Sequence, residues 1–172
     1  METLHCIRDR VAVRSFTPEP VDSTTLARIL EAGRWAPSSK NTQPWHFIVI
    51  RDRETLRRLS ELTPTGPHLA EAPMAIAVVT LGAKMPHVDA TRAIQNMVLA
   101  AWDLGLGTCW ITNFDMDKVK ELLKVPDEAV FITAMPFGYP VKGTLRGKRR
   151  KPLREIVHWE EFGQREPSRR SE

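Results

Sequence analysis

Ser38, Ser39, Asn41 and Gln43 crowd into the stretch APSSKNTQPW that runs from Ala36 to Trp45. Their hydroxyls and amides both donate and accept hydrogen bonds, and Trp45 adds an apolar plane beside them. That set of side chains suits a flat heteroaromatic ligand with polar edges. The competing reading is a run of Asx and Ser turns that satisfy only their own backbone. A second group is Arg10 and Arg14, which bracket Val11, Ala12 and Val13. The β-branched valines disfavour a helix here, and in an extended segment residues 10, 12 and 14 share one face. Two permanently charged guanidiniums beside a small Ala12 then form a fork for an anion such as a phosphate. The bland alternative is a pair of solvated surface charges.

Other chemistry has less support. The five histidines, His5, His46, His68, His87 and His158, fall at no metal-ligand or nucleophile-to-base spacing, so each is expected on the surface or in the core. Cys6 and Cys109 stand alone with no C-x-x-C, which points away from a disulfide framework or a metal knuckle. Cys109 is read as a small buried hydrophobe rather than a redox thiol.

The elements that must hold these residues follow from periodicity. Asp22 to Arg34 reads as an amphipathic helix, capped by Asp22 or Ser23, with Leu26, Ile29, Leu30 and Gly33 at helical spacing. Pro37 disfavours helical geometry at Ala36 and stops it. Phe47 to Ile50 is a short apolar run expected as a strand buried on both faces. Glu54 to Leu62 reads as a helix, Pro64, Gly66 and Pro67 as a loop, and Ala75 to Leu81 as an apolar strand after Pro73. Val88 to Leu104 is the longest helix, with Ile94, Met97, Val98, Ala101 and Trp102 on one broad face. Asp115 can cap a helix through Leu123, and Val130 to Met135 reads as a buried strand before the Pro136, Gly138 and Pro140 punctuation. The pattern implies an α+β, or α/β three-layer, domain.

With those blocks in order, the chain resembles the nitroreductase family of flavin-dependent oxidoreductases. The resemblance rests on IRDRVAVRSF, APSSKNTQPWHFIVI, LGLGTCWITNFD, the VPDE and FGYP segments and the KRRKPLREIVHWEEFG tail. It implies a central, mainly antiparallel sheet flanked by helices, an intertwined homodimer and FMN bound at the dimer interface. On this resemblance Arg10, Val11, Ala12 and Arg14 meet the flavin phosphate and pyrimidine edge. Pro37, Ser38, Ser39, Asn41 and Gln43 reach the same flavin from the partner subunit. Lys148 and Arg150 close over the phosphate, and the turn Trp110, Ile111, Thr112, Asn113 faces flavin N5. NAD(P)H is the implied electron donor, and a nitroaromatic, quinone or similar flat molecule the implied acceptor in a ping-pong cycle.

The chemistry supplies its own rationale. Reduced flavin gathers negative charge at N1 and the C2 oxygen, so a fixed cation nearby favours reduction, a role that falls to Arg14. No side-chain acid or base is required at N5, and no catalytic residue is assigned beyond the flavin itself. Three departures from the family pattern stand out. Val11 and Ala12 replace a frequent second arginine and serine, which predicts weaker phosphate binding. Thr112 and Asn113 replace a glycine-containing pair. The stretch Thr63 to His87 is short. Relatives of this fold that cleave the flavin or remove halogen from aromatic substrates define the alternative chemistry.

At 172 residues with 42% hydrophobic and 27% charged composition, the chain is read as one domain, able to bury roughly 70% of its unfolded surface. That domain is expected to span residues 1–163, C-terminal arm included, with 164–172 expected as a polar, flexible tail. The longest apolar run, Ala75 to Leu81, is far below the ~20 residues of a membrane span. The start METLHCIRDRV lacks a signal peptide's apolar core, so a cytoplasmic location without membrane association is expected. Lys142 to Lys151 holds six basic residues and no acid, an electrostatic footprint a nucleic acid could use. No recognised nucleic-acid motif accompanies it, so that partner ranks behind the flavin phosphate.

Overall fold

The computed structural model describes residues 2–165. Four strands, β1 (Trp45–Ile50), β2 (Met74–Thr80), β3 (Gly107–Thr108) and β4 (Val130–Gly138), form one sheet in the order β1-β2-β4-β3, and every neighbouring pair is antiparallel. The helices are α1 (Thr3–Asp9), α2 (Ser23–Arg34), α3 (Arg53–Glu61), α4 (Pro86–Asp103), α5 (Met116–Leu123) and α6 (Leu153–Ile156).

β2 shows why the domain has three layers. Its side chains alternate between the two faces of the sheet, and all seven residues are buried. Ala75, Ala77 and Val79 join Leu56 and Leu59 of α3, Val119 of α5 and Phe131 in one core. Met74, Ile76 and Val78 join Ile29 of α2 and Ala90, Ile94, Met97 and Ala101 of α4 in the other. The two cores therefore lie on opposite faces of one sheet, with helices outside each. The expected α+β three-layer architecture is present. Phe114 and Phe131 meet edge to face at 5.4 Å between centroids in the first core, an arrangement favoured by the ring quadrupole.

Helix boundaries follow local capping chemistry. Asp22 accepts from the Thr25 N–H at 2.9 Å, Asp52 from Thr55 at 2.8 Å and Asp115 from Lys118 at 3.3 Å, each satisfying an amide that the first turn leaves unpaired. Gly33 lets α2 approach α4 and β1, since a Cβ there would lie 2.8 Å from Met97 Cγ and 2.9 Å from Phe47 Cζ.

Two strands differ from expectation. β1 forms the free edge of this sheet, and Phe47, Ile48 and Val49 are only half-buried rather than buried on both faces. β4 runs through Pro136 to Gly138 instead of stopping at Met135. Proline lacks a donor, yet the ladder with β2 continues past it, Ala75 lying opposite Pro136 and Met74 opposite Phe137, while β3 pairs only with Gly138 and Phe137. Within β4 the register with β2 slips between Val78 and Val79, so that Ile132 is the extra residue of a bulge. The slip puts Phe131 and Ala134 in the same core although they are three residues apart. Of the polar tail, Gln164 and Arg165 fold back: Arg165 donates to the Arg154 carbonyl at 2.7 Å. Residues 166–172 lie outside the described residues.

Candidate functional site

The chain leaves α1 at Asp9 and runs extended across the end of the sheet. Ala12 bridges Thr108 of β3 in parallel, and the Val13 N–H donates to the Thr108 carbonyl at 3.0 Å. Further along, Phe16 bridges Pro140, the Thr17 N–H donates to Tyr139 O at 2.8 Å and the Val141 N–H to Ser15 O at 3.1 Å. The 12–17 segment is thus held at both ends. Val13 is buried and presses on Gly107, where a Cβ would fall 2.2 Å from Val13 Cγ2. With Val13 pointing inward, Arg10, Ala12 and Arg14 line one cavity of about 290 Å³, and the predicted shared face is present.

The rest of that cavity wall comes from Ile94, Gln95 and Val98 of α4 and from Thr108, Cys109 and Trp110. Two guanidiniums and no carboxylate line it, so it suits a ligand with an anionic group. Burial pushes the Cys109 thiol up despite the opposing pull of Arg14 and Arg10. It stays protonated at neutral pH, as a small apolar wall residue. Val11 is half-buried and absent from this wall. A second, polar cavity of about 550 Å³ adjoins the first across Ala12 and Arg14, lined also by Ser15, Gly143, Thr144, Leu145 and Arg146. Arg146 belongs to the basic run but carried no spacing signal to separate it from its neighbours.

Lys148 and Arg150 arrive from the irregular, exposed segment after β4. Lys148 Nζ donates to the carbonyls of Ile7 at 3.0 Å and Arg10 at 2.5 Å, a cation on the unpaired carbonyls at the end of α1. Partial burial holds its ammonium below the usual lysine range, and Arg10 and Arg150 add to the effect. Arg150 is exposed and donates to the Arg149 carbonyl at 2.9 Å.

The loop from Pro37 to Gln43 is built differently. Lys40, Asn41 and Gln43 all have positive φ, at 51°, 56° and 49°, a region costly for any residue with a Cβ. The Gln43 N–H donates to Ser38 Oγ at 2.9 Å and the Asn41 N–H to the Ser38 carbonyl at 3.1 Å. The loop is anchored by Asp89 of α4, which is fully buried and accepts from the Ser39 N–H at 3.0 Å and Arg92 Nη1 at 3.3 Å. Pro37, Asn41 and Gln43 are exposed, and Ser38 and Ser39 half-exposed. None of the five enters the wall of the Arg10 cavity. Trp45 is not a plane offered to a ligand: it is 8% exposed and packs with Ala36 and Ala93 in the core. Asp89→Ala removes a charged acceptor from Ser39, worth about 2 kcal/mol, and should lower the melting temperature by roughly 4–8 °C. Calorimetry of the variant beside Asp89→Asn, which keeps an acceptor and should lose less, checks this.

Trp110 to Asn113 follows β3. Trp110 is 43% exposed and lines the cavity, whereas Ile111 is 1% exposed and packs in the first core. Thr112 and Asn113 are exposed, and Asn113 has φ 59°. Three threonines fix this turn. Thr133 Oγ1 donates to the Ile111 carbonyl at 2.8 Å, and Thr63 Oγ1 and Thr65 Oγ1 both donate to the Thr112 carbonyl, at 2.7 and 2.6 Å. Neither these threonines nor Asp89 carried a sequence signal, because their partners lie 22 to 50 residues away.

His68 is buried, and desolvation, with Arg14 nearby, lowers its pKa, so it is a neutral core histidine. His5, His46 and His87 are exposed, and His158 stacks on Phe162 at 4.3 Å. Among the described residues no three His, Cys, Asp or Glu side chains could share a metal ion, and no helix is long and apolar enough to cross a membrane.

Comparison with known proteins matches this architecture. The profile of the nitroreductase family matches residues 7–81 and 61–139. A protein of Archaeoglobus fulgidus named as an NADH dehydrogenase/NAD(P)H nitroreductase is 36% identical over 149 residues, covering 81% of this chain and 86% of its own. A solved structure of the same name from Parabacteroides distasonis superposes with a TM-score of 0.88 at 29% identity, covering 94% of this chain and 99% of that one. An FMN-dependent nitroreductase from Clostridium difficile superposes with a TM-score of 0.84 at 29% identity, covering 92% and 99%. The family profile, the sequence relatives and the solved structures all cover most of the chain, and the chain belongs to the nitroreductase family of NAD(P)H-dependent oxidoreductases.

Proposed function

We propose that the chain binds FMN against Arg10, Arg14 and Trp110 and uses it to pass electrons from NAD(P)H to a flat organic acceptor. The acid-free cavity between the two arginines and the Trp110 turn carries this reading. Its chemistry fits the cofactor: guanidiniums for a phosphate and an electron-rich ring edge, and Trp110 with Val98 and Ile94 for the ring's apolar surface. The FMN-dependent relative of the same fold supports it. Bound FMN would supply a hydride acceptor at N5, serving NAD(P)H first and then a nitroaromatic, quinone or similar acceptor in ping-pong order.

The protein's own part is electrostatic and positional. Arg14 lies between both cavities and places fixed positive charge where a reduced ring would be negative, without reorganisation during the reaction. Lys148 and Arg150 add positive potential at the Arg10 end. The Ser38–Gln43 loop, which takes no part in this chain's own cavity wall, serves the flavin of a second copy in a homodimer. The deciding experiment is the visible absorption of the purified protein, alone and with added FMN, followed by anaerobic titration with NADPH and NADH. Flavin bands that bleach with either nucleotide are expected. A colourless protein that takes up no FMN, or bound flavin that neither nucleotide reduces, overturns the reading.

A further inference from the structure

Beyond Arg14 lies a second recess, formed where the chain crosses itself. Residues 141–148 pass over the extended 10–15 segment as a strap fastened at both ends. At one end the Val141 N–H donates to the Ser15 carbonyl at 3.1 Å, and the Val141 carbonyl accepts the Thr144 N–H at 3.3 Å and the Thr144 hydroxyl at 2.7 Å. Gly143 sits in that turn at φ 80°, the backbone that a type II turn demands of its third residue. At the other end Lys148 Nζ holds the Ile7 and Arg10 carbonyls. The cavity of about 550 Å³ lies between the strap and the segment beneath it.

Its lining is cationic and rich in donors. Arg14, Arg146 and the half-buried Ser15 line it, and no carboxylate does. Among the described residues neither guanidinium has a hydrogen-bond or salt-bridge partner, and the Leu145 and Arg146 N–H groups have no acceptor. Dinucleotide sites of other folds recognise a free ribose diol through Asp or Glu and a phosphate on that ribose through Arg. Two permanently charged forks without an acid therefore suit the phosphate. The volume falls within the roughly 300–1,000 Å³ of small-molecule sites, room for a ribose with its phosphate and not just a bare anion. Because the two cavities meet at Ala12 and Arg14, a dinucleotide whose nicotinamide stacks on a ring in the first can lay its far end in the second.

We propose that this second cavity holds the 2′-phosphate of NADPH, with Arg146 as the residue that selects NADPH over NADH. The placement of the nicotinamide rests on the flavin site proposed above, whereas the phosphate is held by Arg14, Ser15 and Arg146. A hydrogen bond between charged groups is worth roughly ten- to a hundredfold in affinity. Loss of Arg146 should therefore weaken NADPH by that factor and leave NADH, which has no phosphate there, nearly as it was.

Steady-state kinetics of the flavin-loaded protein should give a kcat/KM at least about tenfold higher with NADPH than with NADH. Arg146 is exposed, so its variants should fold. Arg146→Ala should lose about tenfold or more with NADPH, through KM, and no more than about threefold with NADH, and Arg146→Glu should reverse the preference. Lys142→Ala removes an exposed cation of the same strap from outside the cavity wall; it controls for net charge and should keep the wild-type ratio. Calorimetric titration gives a readout free of hydride transfer. Adenosine 2′,5′-bisphosphate should bind wild type at least about tenfold more tightly than adenosine 5′-phosphate, and Arg146→Ala should erase most of that difference. Equal kcat/KM for the two nucleotides in wild type, or an Arg146→Ala protein that loses both alike, overturns the proposal. So does an Arg146→Ala protein that binds FMN weakly but riboflavin as wild type does, since the phosphate held there is then the flavin's own. A wild-type protein that takes up no FMN overturns the flavin assignment instead, and Arg146-dependent binding of the 2′,5′-bisphosphate would still support the second site.

Discussion

Arg14→Ala should reduce bound FMN at least tenfold and slow its reduction by NAD(P)H. Arg14 lines both the cavity shared with Arg10 and Trp110 and the adjoining one shared with Arg146, so no other charged side chain of the site borders as much of the ligand volume. A hydrogen bond to a charged group is worth about 1.5–3 kcal/mol, or roughly ten- to a hundredfold in affinity. Val11 and Ala12 supply neither charge nor hydroxyl to replace it. Asn41→Ala should also lose flavin, although Asn41 stands on a loop outside the Arg14 cavity wall. The two losses should complement. If each flavin takes Arg14 from one subunit and Asn41 from the other, a heterodimer of the two variants has one site lacking both groups and one site complete. Coexpression with two tags and tandem purification would isolate it. Flavin absorbance should then be near half that of wild type, whereas each variant homodimer stays nearly colourless. A heterodimer as empty as its parents would argue against a site shared between subunits, and wild-type flavin content in Arg14→Ala would remove Arg14 from the site altogether.

Gly107→Ala should damage the fold and the site together. The new Cβ would lie 2.2 Å from Val13 Cγ2 and 2.5 Å from Val13 Cβ, contacts that cannot be relieved by rotating a long side chain. Either β3 or the 10–14 segment must move. Overpacking of this kind costs about 1–3 kcal/mol, which for a chain of this size is a fall of roughly 2–12 °C in melting temperature. Because Val13 is the inward neighbour of Ala12 and Arg14, its displacement carries the fork with it, and flavin affinity should fall by more than the stability loss alone implies. Gly147→Ala is the control: a methyl group there would meet nothing within 4 Å, and its backbone lies outside the left-handed region, so its melting temperature should match wild type. A Gly107→Ala protein with unchanged melting and flavin content would mean that the Val13 contact does not set the position of the arginines.

What could be read from the sequence was what local physics decides. The α2 and α5 caps, the broad apolar face of α4 and the wholly apolar β2 follow from side-chain period and capping chemistry within a few residues, and the structure has them. The shared face of Arg10, Ala12 and Arg14 followed from the strand period alone. What escaped depends on distant partners. β1 reads as a doubly buried strand but lies at the sheet edge because strand order is not local. Pro136 reads as a terminator, yet β4 continues because its distant partner β2 pairs on through it, Ala75 opposite Pro136 and Met74 opposite Phe137. Trp45 sits among polar residues in sequence while its indole packs on Ala93, 48 positions later. Asp89 and the threonines of the Thr112 turn look like ordinary surface polar residues until the chain brings their backbone partners to them.

The loop that carries Ser38, Asn41 and Gln43 has a thermodynamic character of its own. Three of its residues sit in left-handed backbone, and it is fastened to α4 through the Ser39 amide on the Asp89 carboxylate. Unfastening that link releases conformational energy that offsets part of the lost hydrogen bond, so the loop can open as a local unit far below the free energy of global unfolding, while β2 stays closed. If the loop covers the flavin of a second copy, as proposed above, the residence time of that flavin would depend on one latch, and substitutions at Asp89 or Ser39 would retune it while leaving the sheet and its two cores untouched.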